Sequence, residues 1–237
     1  MNPQITEFLL KNVNETEKTF SDITKALKIY VEKQEKVRLQ TLKLIKAFKY
    51  CSTQVPSSSK QYIEALSNSL TLIEYYIKIL DDRIDQRICK TLDFFANNNC
   101  KLIKNYIHER KEESKNDLKN HSSLNKAVIK DPSNSQKLAS LQENINLRLN
   151  GTFKTNEDII NNIKTFNKEK LKLLKRTMDE FLYGEIIYHA KALESLSFAH
   201  QILNNSNIKK DVEEIINNFN QDLTKNGVFT PNLSKYN

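Results

Sequence analysis

Lys164, Lys168, Lys172 and Lys175 recur at steps of four, four and three, and Lys170 and Arg176 stand beside them. On a helix that spacing lines cationic side chains along one face. Such a row performs no bond chemistry. It attracts anions, and each Lys or Arg near an anionic surface contributes roughly 1 kcal/mol within a Debye length. Glu169 is the single acid set against these six cations between 164 and 176. A second row precedes it: Arg83, Arg87 and Lys90 share a face, Lys101 and Lys104 extend it, and Arg110, Lys111, Lys115 and Lys119 run on beyond. Lys126, Lys130 and Lys137 flank Pro132, and Lys154 lies farther along. These are the candidate lipid-binding residues, with Lys164, Lys168, Lys172, Lys175 and Arg176 the best of them. The competing reading makes them solvated flanks of a coiled coil, and Glu109, Glu112, Glu113 and Asp117 do stand where they neutralise part of the distal set.

Nothing else in the chain has the spacing of a reaction centre. Cys51, Cys89 and Cys100 are too far apart for a metal site and read as ordinary buried thiols of a reducing compartment. His189 follows Glu185 by one helical turn and reads as packed or hydrogen-bonded inside a bundle. No Glu-x-x-His pair, glycine-rich phosphate loop, Cys–His pair or serine elbow is present. No enzyme activity, cofactor or metal is expected. The net charge of +8 fits an anionic partner. An aromatic stacking platform or base-reading motif is missing, so nucleic acid is not the expected one.

The elements that must carry the cationic rows are helices. The 237 residues include only three glycines and four prolines, and a strand-rich fold of this size needs many turns built from both. Prolines at 3, 56, 132 and 231 leave three long uninterrupted spans. They predict helices over about 4–54, 59–128 and 133–204, with a short amphipathic helix at 208–223 inside a 206–224 segment and a tail over 225–237. The first stripe is Phe20, Ile23, Leu27, Tyr30, Val31, Leu42, Ile45 and Phe48; the opening turns, with Ile5, Phe8, Leu9 and Val13, read as packed first turns of that helix, the alternative being a membrane-inserting wedge. The second runs Leu66, Leu70, Ile73, Ile77, Leu80, Ile84, Ile88, Leu92, Phe95, Leu102 and Tyr106. Its steps are heptad-like to Ile84, and the steps of four at 84, 88 and 92 shift the phase like a stutter. The third begins at Leu138, Leu141, Ile145, Leu149 and Phe153 and continues through Phe166, Leu171, Leu174, Met178, Phe181, Tyr188, Ala192 and Leu196. Gly151 and Gly184 inside it mark bends or close-packing points.

A 70-residue helix is about 105 Å long, and narrow stripes on such helices bury too little alone. The fold class expected is all-α: an elongated three-helix antiparallel coiled coil over 1–205 that dimerises. Leu66, Leu70, Ile73, Ile77, Leu80, Phe166, Leu174, Met178, Phe181, Tyr188, His189 and Leu193 are its expected core and dimer residues. MNPQITEFLL has no basic region followed by a long apolar run, so no secretory signal is read. No stretch reaches the roughly 18–20 apolar residues of a membrane span. A cytoplasmic protein with peripheral membrane contact is expected.

One block carries a resemblance. Phe166, Lys170, Lys172, Lys175, Glu180-Phe181, Glu185, Tyr188-His189 and Lys191-Ala192-Leu193-Glu194 stand in the spacing of the closing helix of BAR domains, most similar to the Chibby-interacting BAR-domain family, and Pro132-Ser133 falls where that family has its tip turn. The resemblance spans about 15–205. It implies a crescent-shaped homodimer that binds and bends membranes rich in anionic lipids such as phosphatidylserine and phosphoinositides. It also implies a place at the ciliary base and basal body with a Chibby-type partner. A helical adaptor that binds acidic proteins without touching membrane is the alternative.

Overall fold

The computed structural model describes residues 3–130 and 134–225, the side chains of residues 3, 144, 147–156 and 224 excepted. Among them every regular element is helical. Helix α1 (Pro3–Ser52) opens on a proline, which the first turn tolerates because its N–H would have no helical partner there. It closes with Thr53 and Gln54 donating to the carbonyls of Tyr50 and Cys51 at 3.1 and 2.9 Å. After Pro56 come α2 (Ser57–Arg83), a π-helical segment (Ile84–Cys89), α3 (Lys90–Phe94), a second π-helical segment (Phe95–Asn99) and α4 (Cys100–Lys130). Cys89, Phe95 and Cys100 keep right-handed helical angles at the junctions, so the backbone passes through them without a break. Helix α5 (Ser135–Asn204) begins at Asn134, whose side-chain oxygen accepts the Lys137 N–H at 3.2 Å. Asn207 does the same for Lys210 at 3.1 Å and starts α6 (Ile208–Lys225). The expected turn at Pro132-Ser133 and the tail after 225, with Gly227 and Pro231, lie outside the described residues. So do the side chains of Leu149, Gly151, Phe153 and Lys154.

The chain divides into two compact units, Met1–Ile29 with Ile84–Phe181, and Tyr30–Arg83 with Leu182–Asn237. In the first, three helical strands pack around Phe20, Phe95 and Phe166, with ring centroids 5.4 and 5.5 Å apart in sequence. Ion pairs Lys28–Asp93 (2.9 Å), Glu17–Lys104 and Arg87–Glu180 (3.5 Å) set antiparallel registers: partner numbers fall as residue numbers rise. The buried line here is Ile84, Ile88, Leu92, Ala96 and Cys100, each four residues from the last. An α-helix turns about 100° per residue, so five such steps from Leu80 overrun by about 200°. Each π-helical segment acts as a one-residue insertion worth about 100°, and two of them cancel the drift. The stutter expected at 84–92 thus takes this form, and it corrects the stripe beyond it. Cys100 and Ile107 are buried, while Leu102, expected in the core, is 68% exposed.

The opening turns of α1 pack as expected, burying Leu9 and Val13 together with Thr6 and Thr16, although Ile5 and Phe8 stay exposed. Cys89 and Cys100 are buried and burial pushes both thiols up, Cys100 to about 11. Cys51, in the last turn of α1, is exposed, against expectation.

In the second unit Ile63, Ile73, Ile77 and Leu80 are buried. Ser69 donates to the Ser195 carbonyl at 2.9 Å, and Arg38 bridges Glu35 (2.7 Å) and Glu74. Gly184 proves to be a close-packing point: a Cβ there would come within 2.7 Å of Leu80 Cδ1. Helix α6 docks on the start of α2. Asp211 accepts from the Ser58 N–H (3.0 Å) and the Ser59 hydroxyl (2.6 Å), and Glu214 from the Ser57 N–H (3.2 Å) and hydroxyl (2.5 Å). Two carboxylates thereby satisfy donors at a helix N-terminus, where negative charge is favoured.

Candidate functional site

Helix α5 presents Lys164, Lys168, Lys172, Lys175 and Arg176 to solvent. The phase follows from what the same helix buries: Phe166 and Thr177 face the core, and Lys170, half-buried, turns inward to donate to the Thr16 hydroxyl at 3.3 Å. Glu169 holds Lys172 at 3.0 Å. Lys164, Lys168, Lys175 and Arg176 have no acidic partner among the described residues, so their charge is uncompensated locally.

The second row is less uniform. Arg87 is exposed but reaches Glu180 at 3.5 Å, and Lys90 is exposed beside Gln86. Lys101 is exposed; Lys104 is half-buried against Glu17. Arg83 belongs to the other unit, half-buried with its guanidinium 4.7 Å from the Tyr183 ring centroid. Toward the distal end, Arg110 pairs with Glu113 and Lys115 with Glu112, both at 2.6 Å, the neutralisation the spacing suggested. Lys115 draws the Glu112 carboxyl below its ordinary range. Lys126, Lys130 and Lys137 line a cavity of about 380 Å3 with Ala127, Leu138 and Leu141.

Where the second row meets the α5 row, Phe94 stands in the open, 63% exposed. No stripe singled it out. The signal was present in the Phe94-Phe95 pair, since adjacent helical residues lie about 100° apart and only one can face the same core.

The residues expected to form the core and dimer contacts divide on this chain. Ile73, Ile77, Leu80 and Phe166 are buried, and Leu66, Leu70, Leu174, Phe181 and Tyr188 are half-buried. Met178 and Leu193 are exposed. His189 is exposed and not packed; it does face Glu185, at 3.5 Å, with the Tyr188 ring 4.7 Å away. Among the described residues no His, Cys, Asp and Glu group could hold a metal ion, and no helix is long and apolar enough to cross a membrane.

A family model described as FAM92 protein matches residues 2–213. The chain belongs to the FAM92 family. This FAM92 chain is similar to the CBY1-interacting BAR domain-containing protein 1 of Danio rerio, at 22% identity over 88% of the chain and 70% of the relative. It is as similar to the 1-A protein of that name from Xenopus laevis, at 22% over 88% and 73%. Among solved structures it resembles the N-terminal I-BAR domain of D. discoideum IBARa, with a TM-score of 0.61 and 15% identity over 93% of the chain and 100% of that domain. The Hof1p F-BAR domain gives 0.63 and 8% over 91% and 93%. The fold of this FAM92 chain is a helical BAR domain.

Proposed function

We propose that this FAM92 chain is a non-enzymatic homodimeric scaffold that binds and bends anionic membranes, with residues 1–205 as its BAR unit, 206–224 as an amphipathic helix and 225–237 as a tail. BAR domains are typically scaffolds, and the observation that carries the reading is the α5 row. Lys164, Lys168, Lys175 and Arg176 are exposed on a BAR fold without acidic partners among the described residues. About 1 kcal/mol per cation is small singly, but four per protomer, doubled in a dimer, suffice for reversible attachment. Phosphatidylserine and phosphoinositides are the lipids of matching charge. Lys172, Arg87, Lys90, Lys101, Lys126 and Lys130 add to the same attraction. Arg83 and Lys104 contribute less, being held within the protomer.

The relatives named as CBY1-interacting support a Chibby-type partner for this chain too, and the place at the ciliary base is proposed on the resemblance of the 166–194 block alone. Charge reversal of Lys164, Lys168, Lys175 and Arg176 together tests the surface. Binding to phosphatidylserine vesicles should fall by at least about a hundredfold, with the helical circular dichroism unchanged. Undiminished binding would remove this row as the membrane face.

A further inference from the structure

A groove of about 380 Å3 opens between the second π-helical segment, with the end of α3 before it, and α5. Phe94, Phe95 and Leu173 line it, and Lys172, Arg176 and the one acid Glu169 stand in its wall with Thr91 and Asn99. Phe95 is turned into the core, 5% exposed, where it stacks between Phe20 and Phe166. Its neighbour Phe94 is left with most of its ring in the open beside the groove.

Charge narrows what can occupy it. Glu169 answers Lys172 at 3.0 Å, and Arg176 has no acidic partner among the described residues, so the wall carries net positive charge. An apolar floor beside an unanswered guanidinium suits an anionic amphiphile: the guanidinium offers a fork of donors to phosphate, and the aromatic offers contact to a hydrocarbon chain. A water-soluble anion would leave Phe94 exposed, and an uncharged apolar ligand would leave Arg176 unanswered.

We propose that this groove takes one anionic phospholipid of the bound membrane, with Phe94 entering the acyl region and Arg176 and Lys172 holding the phosphate. The inference rests on the membrane-binding reading above and adds to it a penetrating residue and a lipid seat.

The chain has no tryptophan, so Phe94→Trp places a single tryptophan at the site. The experiment mixes this variant with phosphatidylserine vesicles carrying plain or brominated acyl chains, and reads fluorescence and co-sedimentation on the same samples. The expected result is a blue-shifted emission on binding, quenched by acyl bromine and restored by salt that releases the protein. Protein that pellets while the tryptophan stays water-exposed and unquenched overturns the inference and leaves the membrane reading standing. Absence of pelleting overturns both. A blue shift that follows protein concentration without vesicles places Phe94 between two copies and also overturns it. As a second variant, Phe94→Ser should weaken vesicle affinity by about fivefold or more with an unchanged melting temperature, since the ring is exposed; unchanged affinity overturns the inference.

Discussion

Asp81 is the residue least suited to its surroundings. It is 7% exposed, and one carboxylate oxygen is buried without a hydrogen-bond partner among the described residues. Burial is the main cause that pushes its pKa up to about 6; Glu35, Asp82 and Glu185 push the same way and Arg38 opposes them. A carboxyl raised in the folded state favours its protonated form. Its ionisation therefore costs stability above about pH 6, and the cost disappears as pH falls from 6 toward its ordinary value of 3.8. Asp81→Asn should stabilise the protein at pH 7 by about 1–2 kcal/mol. In denaturant titrations the gain over wild type should shrink toward zero near pH 4. A gain that is constant with pH would reassign the effect to packing. Gly184 is the opposite case, a residue that fits too closely to change. Gly184→Ala gains about 1 kcal/mol of helix propensity but drives a methyl into buried Leu80, and overpacking costs about 1–3 kcal/mol. A net loss near 1 kcal/mol is expected from thermal denaturation. Leu80 and Phe166 are legible in the sequence because apolar periodicity marks a face. Asp81 is not, because a buried polar residue carries no mark in one dimension.

At the scale of elements, helix order was legible from four prolines and the scarcity of glycine. The phase of the second helical span was legible only in part. Steps of four at 84, 88 and 92 announce a shift, but the two π-helical segments that absorb it carry no residue signature, so the apolar pattern points Leu102 inward where Cys100 and Ile107 belong. The docking of α6 was equally hidden, since Asp211 and Glu214 act on Ser57, Ser58 and Ser59 some 150 residues away in sequence. Asp211→Ala with Glu214→Ala should cost about 1–3 kcal/mol, the scale of lost N-terminal caps. Limited proteolysis should then cut between α5 and α6 sooner than in wild type. Equal cutting rates would mean that apolar contacts alone hold α6.

For the whole molecule, the exposed apolar residues of the second unit bear on the proposed homodimer. Leu182, Tyr183, Ile186, Leu193 and Phe198 of α5 are each 52–69% exposed. A monomer rarely leaves such a patch open. In the homodimer proposed above this is the surface that would close, and Leu193, bare on one chain, would be covered there. Ile186→Asp with Leu193→Asp should convert the dimer to a folded monomer in analytical ultracentrifugation. The narrow α5 stripe in the sequence passes beside Leu182, Tyr183, Ile186, Leu193 and Phe198, and no pattern within one chain tells which apolar residues wait for another copy. The most direct measurement of the central claim is co-sedimentation of the wild-type chain with neutral and phosphatidylserine-containing vesicles across a salt series. Pelleting with the anionic vesicles alone, lost as salt rises, is predicted. A folded dimer that stays in the supernatant at every salt concentration would contradict the membrane scaffold and leave a helical adaptor for acidic protein partners.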